Sequence, residues 1–84
     1  MSELATLPNV GKVTVKRLSA IGIETAEQLK EVGSREAFIR LRLLEGDTCL
    51  DTLYGLEGAI QGVRWHALSD EDKAGLKEYF RTFK

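Results

Sequence analysis

The residues whose types and spacing could perform chemistry lie close together near the amino terminus, between Asn9 and Arg17. Pro8 is the only proline of the chain, and the residue before a proline is disfavoured in the helical conformation, so a first helix must end near Leu7. Asn9 and Gly11 are residue types that readily adopt positive φ. The pattern therefore predicts a tight hairpin that leads from a short first helix into a second helix beginning after Gly11.

Such a hairpin is suited to binding an anion. Backbone N–H groups in the first turn of a helix lack partners within the helix, and they lie at the positive end of its dipole. Lys12, Lys16 and Arg17 follow the hairpin, and at about 100° per residue they share one broad face of the second helix. We therefore predict a phosphate-binding site made of Asn9, Val10, Gly11, Lys12, Val13, Lys16 and Arg17.

The segment LPNVGKVTVKRLSAIGI resembles the helix-hairpin-helix motif, in which hairpin amides hold nucleic-acid backbones without reading the base sequence. That motif usually has two hairpin glycines, and Asn9 occupies the place of the first. The resemblance implies that Asn9→Gly would ease the backbone turn and hold or improve affinity.

Two further segments, TAEQLKEVGSREAFIRLR and LYGLEGAIQGVRWHAL, are similar to the C-terminal domain of the TfoX (Sxy) family of bacterial competence regulators. This resemblance implies a role in regulating competence or transcription. In that family the domain follows a separate N-terminal domain, which is absent from these 84 residues.

Helical periodicity continues along the rest of the chain, and no window reads as a β-strand. The predicted fold is all-α: a compact bundle of five or six short helices with an N-terminal helix-hairpin-helix. Residues 1–84 are predicted to form one domain, with the helix-hairpin-helix at about 2–33 and a C-terminal helical part at about 34–84. The predicted helices are a turn at about Ser2–Thr6, then Lys12–Ile21, Thr25–Val32, Arg35–Glu45, Cys49–Gln61, and one that follows Ser69 to the end.

The predicted helix Arg35–Glu45 carries apolar residues on two faces. Ile39 and Leu43 lie opposite the main apolar stripe. This helix therefore either packs between its neighbours, which burial tendencies favour, or presents one face to a partner. The main stripe, predicted to face the core, consists of Ala37, Phe38, Leu41 and Leu44.

Two glycines in the predicted helix Cys49–Gln61 indicate a close contact. Glycine inside a helix costs about 1 kcal/mol relative to alanine, so Gly55 and Gly58 predict a close approach by another helix. Glu57 lies beside the apolar stripe, and we expect it to accept hydrogen bonds from backbone amides, the Trp65 indole or Arg64. Trp65 is predicted to be substantially buried.

The overall charge argues against strong general affinity for nucleic acid. The chain has 12 basic and 13 acidic residues, a net charge of −1, whereas dedicated DNA-binding domains are usually basic. The charge is uneven, however. Three basic residues and one acidic residue give residues 1–20 a charge of +2, and three acidic residues give residues 46–62 a charge of −3. A local basic patch is therefore possible.

The chain lacks the residue sets that most enzymes need. With one histidine and one cysteine it cannot assemble the usual metal sites, so we predict no metal, no cofactor and no enzymatic activity. His66 is expected to be structural or exposed, and Cys49 to be a small semi-buried residue. A single cysteine fits a reducing cytoplasm, and the amino terminus lacks the basic and apolar regions of a secretory signal. We therefore expect a cytoplasmic protein with no membrane partner.

Two functions of different class agree with these features. The first is a non-catalytic module that binds the DNA backbone weakly and without sequence preference, or that has a regulatory role related to competence. The second is a protein–protein interaction module, in which the hairpin serves structural packing, or the hairpin or the Ile39/Leu43 face contacts a regulatory protein. The first is slightly favoured, and a monomer or weak dimer is expected in either case.

Overall fold

The protein is described here by a computed structural model covering residues 3–46 and 48–82. Within these residues there are five α-helices and two 3₁₀ helices, and no strand, so the predicted all-α fold is confirmed. The predicted turn at Ser2 and the last helix beyond Thr82 lie outside the described residues. The elements are a first 3₁₀ helix Glu3–Thr6, α1 Lys12–Ala20, α2 Ala26–Val32, α3 Ser34–Glu45, α4 Leu50–Gln61, a second 3₁₀ helix Trp65–Ala67, and α5 Asp70–Arg81.

The end of α1 is set by a glycine. Gly22 has φ +87°, its N–H donates to the carbonyl of Ser19 at 3.1 Å, and the N–H of Ile23 donates to the carbonyl of Leu18 at 2.9 Å. This pair of bonds satisfies carbonyls that a helix end would otherwise leave unpaired. It also turns Ile23 back into the core, where its side chain is fully buried.

The start of α2 is set by side chains. Thr25 accepts a hydrogen bond from the backbone N–H of Gln28 at 3.1 Å, and the Gln28 side chain accepts in return from the Thr25 N–H at 3.2 Å. This is the capping box that the two residue types at that spacing favour. Gly33, with φ +87°, then separates α2 from α3 without an intervening loop.

Helices α3 and α4 lie against each other at the centre of the fold. Helix α2 packs on both, α1 packs on α3 and on the first 3₁₀ helix, and α5 packs on α4. Phe38 of α3 meets Phe80 of α5 edge to face, with ring centroids 5.8 Å apart. The buried apolar core consists of Leu4, Val10, Leu18, Ile23, Leu29, Ala37, Phe38, Leu41, Leu53, Leu56, Ala59, Leu68 and Leu76.

One prediction about the core is wrong. Leu44, placed in the core stripe of α3 by its spacing, is 57% exposed, and Leu43 is 83% exposed. Glu45 and Gly46 are exposed as well, so the neighbouring helices leave the apolar side chains of the last turn of α3 largely in solvent. Periodicity identifies the face of a helix but not how far along its length other elements cover it.

Candidate nucleic-acid interface

The hairpin is the segment from Leu7 to Gly11, which joins the first 3₁₀ helix to α1. The N–H of Leu7 donates to the carbonyl of Leu4 at 3.0 Å, and the N–H of Val10 donates to the carbonyl of Leu7 at 3.4 Å. Leu4 and Val10 are buried, which anchors both sides of the hairpin in the core. Asn9 has φ +67°, as its residue type allows. The Val10 amide is therefore engaged within the protein rather than available to a ligand.

Gly11 differs from its prediction. Its φ of −108° and ψ of −172° are extended, not left-handed, so the backbone here does not require glycine. A Cβ atom at this position would also meet nothing within 4 Å. Gly11 is instead the residue immediately before α1, where the absence of a side chain leaves the first helical turn without a side-chain cap.

Backbone N–H groups are consequently available at the start of α1. The amides of residues 11–14 have no hydrogen-bond partner within the described part of the chain, and the first turn of α1 contains no acidic side chain. Gly11, Lys12 and Val13 are exposed. These donors lie at the positive end of the helix dipole, which is the arrangement that favours an anion.

The three predicted basic residues do not behave alike. Lys12 and Lys16 are exposed, and neither makes an ion pair among the residues described. Arg17 instead forms two hydrogen bonds to Glu45, Nε to Oε2 at 2.9 Å and Nη2 to Oε1 at 2.8 Å. Hydrogen bonding to this carboxylate raises the pKa of Arg17 above its ordinary value. The positive charge of Arg17 is therefore already compensated by the carboxylate of Glu45. We use the name hairpin surface for Gly11, Lys12, Val13 and Lys16.

The Asn9 side chain points into the protein. Its Nδ2 donates to the carbonyl of Val63 at 3.1 Å and to that of Gly55 at 3.4 Å, and its Oδ1 accepts from the N–H of Trp65 at 3.2 Å. Asn9 therefore joins the hairpin to α4 and to the connector 63–68 instead of offering its side chain to a ligand. A Cβ atom on Gly58 would lie 2.6 Å from Nδ2 of Asn9.

The expected close approach to α4 thus exists, but its source differs from the prediction. A Cβ atom on Gly58 would also lie 2.8 Å from the carbonyl oxygen of Val63, while one on Gly55 would be 3.7 Å from Cβ of Asn9. The approaching groups are the hairpin side chain and the connector, not another helix.

Arg64 is a charged neighbour of the hairpin that sequence reasoning did not assign to the site. It is exposed and lines a groove of ≈ 550 Å³ together with Pro8, Asn9 and Gly11, and a second of ≈ 380 Å³ together with Thr14 and Arg17. Residue 64 lies more than fifty positions from the hairpin along the chain, so no local spacing pattern could connect them. The glycines of α4 predicted a close contact but did not identify the residues that make it.

The partners expected for Glu57 were wrong. One carboxylate oxygen accepts from the hydroxyl of Ser34 at 2.6 Å, and the other accepts from the side chain of Gln61 at 2.6 Å. Ser34, buried at the start of α3, thus links α3 to α4 through this carboxylate. Glu57 therefore has a structural role at the contact between α3 and α4.

Aromatic rings cover the other side of the connector. Trp65 is only partly buried, less than predicted, and it stacks on Tyr54 at 5.9 Å and on His66 at 4.0 Å between ring centroids. His66 is exposed, as expected. Lys73 Nζ lies 5.8 Å from the centroid of the Trp65 ring. These contacts hold the connector against α4 and α5.

Cys49 is more exposed than the semi-buried position expected for it. Hydrogen bonding to the Thr52 side chain, with Sγ and Oγ1 3.5 Å apart, lowers the pKa of its thiol. In the part of the chain that the structure describes, no group of three histidine, cysteine or acidic side chains could hold a metal ion. None of the helices formed by these residues combines the length and the apolar composition of a membrane-spanning segment.

Comparison with known proteins places this fold in a family. A model of the TfoX C-terminal domain matches residues 1–80. The triclinic crystal structure of an uncharacterized protein from Listeria monocytogenes is 45% identical, with a TM-score of 0.93, and the match covers 95% of this chain and 91% of that one. A tetragonal form of a protein of unknown function from the same organism is 44% identical, with a TM-score of 0.91, covering 95% and 99%. No curated protein matches the chain. From its sequence and its helical architecture together, the chain belongs to the TfoX C-terminal domain family.

Proposed function

We propose that this chain is a non-catalytic module that binds the phosphate backbone of DNA weakly, without reading the base sequence. Residues 1–84 act as one domain in this proposal, and the hairpin surface supplies the contact. The observation that carries it is the set of amides at residues 11–14, which have no partner among residues 3–46 and 48–82, together with two exposed lysines, Lys12 and Lys16. Amides and lysines together match the charge and the acceptor oxygens of a phosphate.

The proposed affinity is low because few charges are available. Arg17 is paired with Glu45, which leaves two lysines on the hairpin surface itself. Each neutralised phosphate contributes about −0.9 to the slope of log K against log salt, so the two lysines account for a slope of about −1.8. Binding in the nonspecific range, with Kd of roughly 10⁻⁴–10⁻⁶ M at physiological salt, follows from this small number of contacts.

Membership of the TfoX C-terminal family supports a regulatory setting for this binding. In the proposed role, weak backbone contacts hold the domain on DNA without selecting a site, because phosphate contacts position a protein but carry no sequence information. Selection of a promoter or a competence gene would then come from another domain or protein.

A titration of labelled duplexes at low salt tests the proposal. Two duplexes of unrelated sequence should bind with the same affinity, and the charge reversal Lys12→Glu with Lys16→Glu should abolish binding while helicity is retained. The matched control is Lys30→Glu with Lys77→Glu, two exposed lysines that lie on α2 and α5 rather than on α1. The control carries the same change in net charge, so a similar loss in both double variants would contradict a local site.

A protein-interaction module is the second candidate function, and a specific observation favours it. Val13 is 72% exposed, Leu43 83% and Leu44 57%, so large apolar side chains face solvent on α1 and on α3. Exposed apolar side chains of this kind occur where proteins associate. Absence of duplex binding by the unmodified protein at high concentration would rule out the DNA proposal in favour of this one.

A further inference from the structure

Arg64 borders the hairpin on two sides. It lines the groove formed with the hairpin residues Pro8–Gly11, and it also lines the groove on the α1 side with Thr14. Its side chain is exposed and makes no ion pair within the described residues. A guanidinium without an ion pair among these residues therefore borders Gly11, the residue that leads into α1, although it belongs to a different part of the chain.

The backbone around Arg64 is held directly by the hairpin. Asn9 donates to the carbonyl of Val63 and accepts from the N–H of Trp65, which are the residues on either side of Arg64. The N–H of Val63 also donates to the carbonyl of Gly58 at 2.9 Å. These hydrogen bonds thus fix the backbone position of Arg64 relative to the hairpin.

A carboxylate lies near this arginine but does not pair with it. Asp51 lines the α1-side groove together with Arg64 and Arg17, and Arg17 is already paired with Glu45. No ion pair joins Asp51 to Arg64 among the described residues. The guanidinium therefore keeps its N–H donors available. Their planar arrangement suits the two non-bridging oxygens of a backbone phosphate.

We propose that Arg64 binds a further phosphate of the same nucleic-acid backbone that contacts Lys12 and Lys16, with Asn9 as the positioning residue. This inference rests on the proposed function and enlarges its site from the hairpin surface to the connector. The site then contains three cationic side chains instead of two, so the slope of log K against log salt is about −2.7 rather than about −1.8.

The test compares Arg64→Gln with Lys77→Gln, a matched loss of one charge on α5, outside both grooves. Affinity for labelled duplex is measured between about 50 and 200 mM salt. Arg64→Gln should reduce the slope from about −2.7 to about −1.8 and lower affinity about tenfold at the low-salt end, because one counterion fewer is released. Lys77→Gln should leave both values close to those of the unmodified protein.

Failure of this inference and failure of the proposed function give different results. If the unmodified protein binds and Arg64→Gln matches Lys77→Gln in slope and affinity, Arg64 lies outside the site while the hairpin proposal stands. If the unmodified protein does not bind, both are wrong. Asp51→Asn supplies an independent variant, and removal of this nearby carboxylate should tighten binding; weaker binding would contradict a phosphate at this place.

The positioning role of Asn9 is tested by a double-variant cycle. Asn9→Gly keeps a residue suited to positive φ and removes the three hydrogen bonds of the carboxamide. In that background, Arg64→Gln should lower affinity by less than about threefold, because the arginine is no longer held beside the hairpin. An unchanged tenfold loss would show that Asn9 does not position Arg64. Circular dichroism of each variant at the titration temperature verifies that it is folded.

Discussion

The carboxamide of Asn9 and the backbone of Gly58 lie so close together that a Cβ atom on Gly58 would be 2.6 Å from Nδ2 of Asn9. Real Cβ atoms are not found at such a distance from another atom. The same Cβ atom would also lie only 2.8 Å from the carbonyl oxygen of Val63. Glycine inside α4 therefore allows the hairpin and the connector to contact the backbone of this helix.

Gly58→Ala should destabilise the protein even though alanine is the better helix former. The methyl group has to displace Asn9 or the connector, and we expect a loss of about 1–3 kcal/mol in the free energy of unfolding. Gly55→Ala is the matched control in the same helix, where a Cβ atom would be in ordinary contact at 3.7 Å. That variant should be neutral or more stable by up to about 1 kcal/mol. Equal urea midpoints for the two variants would contradict the close approach.

Asn9→Gly should also destabilise the fold, although the helix-hairpin-helix resemblance implies that glycine would ease the backbone turn. Glycine keeps the positive φ but leaves the carbonyl of Val63 and the N–H of Trp65 without their partner. The expected loss is about 1–3 kcal/mol in the free energy of unfolding, measured by urea denaturation.

Asn9→Ala provides the comparison that separates two effects at this position. It removes the same hydrogen bonds and adds the cost of a left-handed conformation for a residue with a Cβ atom, about 1 kcal/mol more. If Asn9→Gly were as stable as the unmodified protein, the hydrogen bonds to the connector would not contribute to stability.

Leu41 and Leu43 lie two residues apart on α3 and should respond very differently to truncation. Leu41 is fully buried, so Leu41→Ala should cost about 2–5 kcal/mol in the free energy of unfolding. Leu43 is 83% exposed, and Leu43→Ala should change stability by no more than about 0.5 kcal/mol. Thermal or urea denaturation measures both. A large loss for Leu43→Ala would mean that a contact in solution, such as a second copy of the chain, covers this residue.

Glu45 makes a pH-dependent contribution to stability. The hydrogen bonds from Arg17 hold the pKa of its carboxyl below the ordinary value. A carboxyl with a lowered pKa stabilises the folded state above the pKa of the unfolded chain, and this contribution is lost as pH falls through the folded pKa. Because the side chains of the pair are 27% and 30% exposed, solvent screening limits the effect to about 0.2–1 kcal/mol.

Glu45→Gln should therefore lower the free energy of unfolding by this small amount at neutral pH, and the difference should disappear in acid. Glu31→Gln, an exposed glutamate of α2 with no ion pair among the described residues, is the control. Denaturation curves collected across the acidic range measure both. A difference between Glu45→Gln and the unmodified protein that grows as pH falls would have the wrong sign for this ion pair.

Local features of the chain determined most of its helices. Pro8, the Gly22–Ile23 pair, the Thr25–Gln28 pair and Gly33 act through their own backbone or through residues a few positions away, so the bounds of α1 and α2 are readable from the sequence. The candidate site was readable to the same extent, because Lys12 and Lys16 are placed on one exposed face by the helical repeat alone.

Only the tertiary structure decided which residues the hairpin and α1 contact. It placed Arg64 beside the hairpin, paired Arg17 with Glu45, and turned the side chain of Asn9 toward Val63. Each of these relationships joins residues far apart in the chain, where charge and periodicity describe a face but not its neighbour. The physical reason is that hydrogen bonds and ion pairs depend on distances of about 3 Å, and such distances between remote residues are set by packing of the whole core.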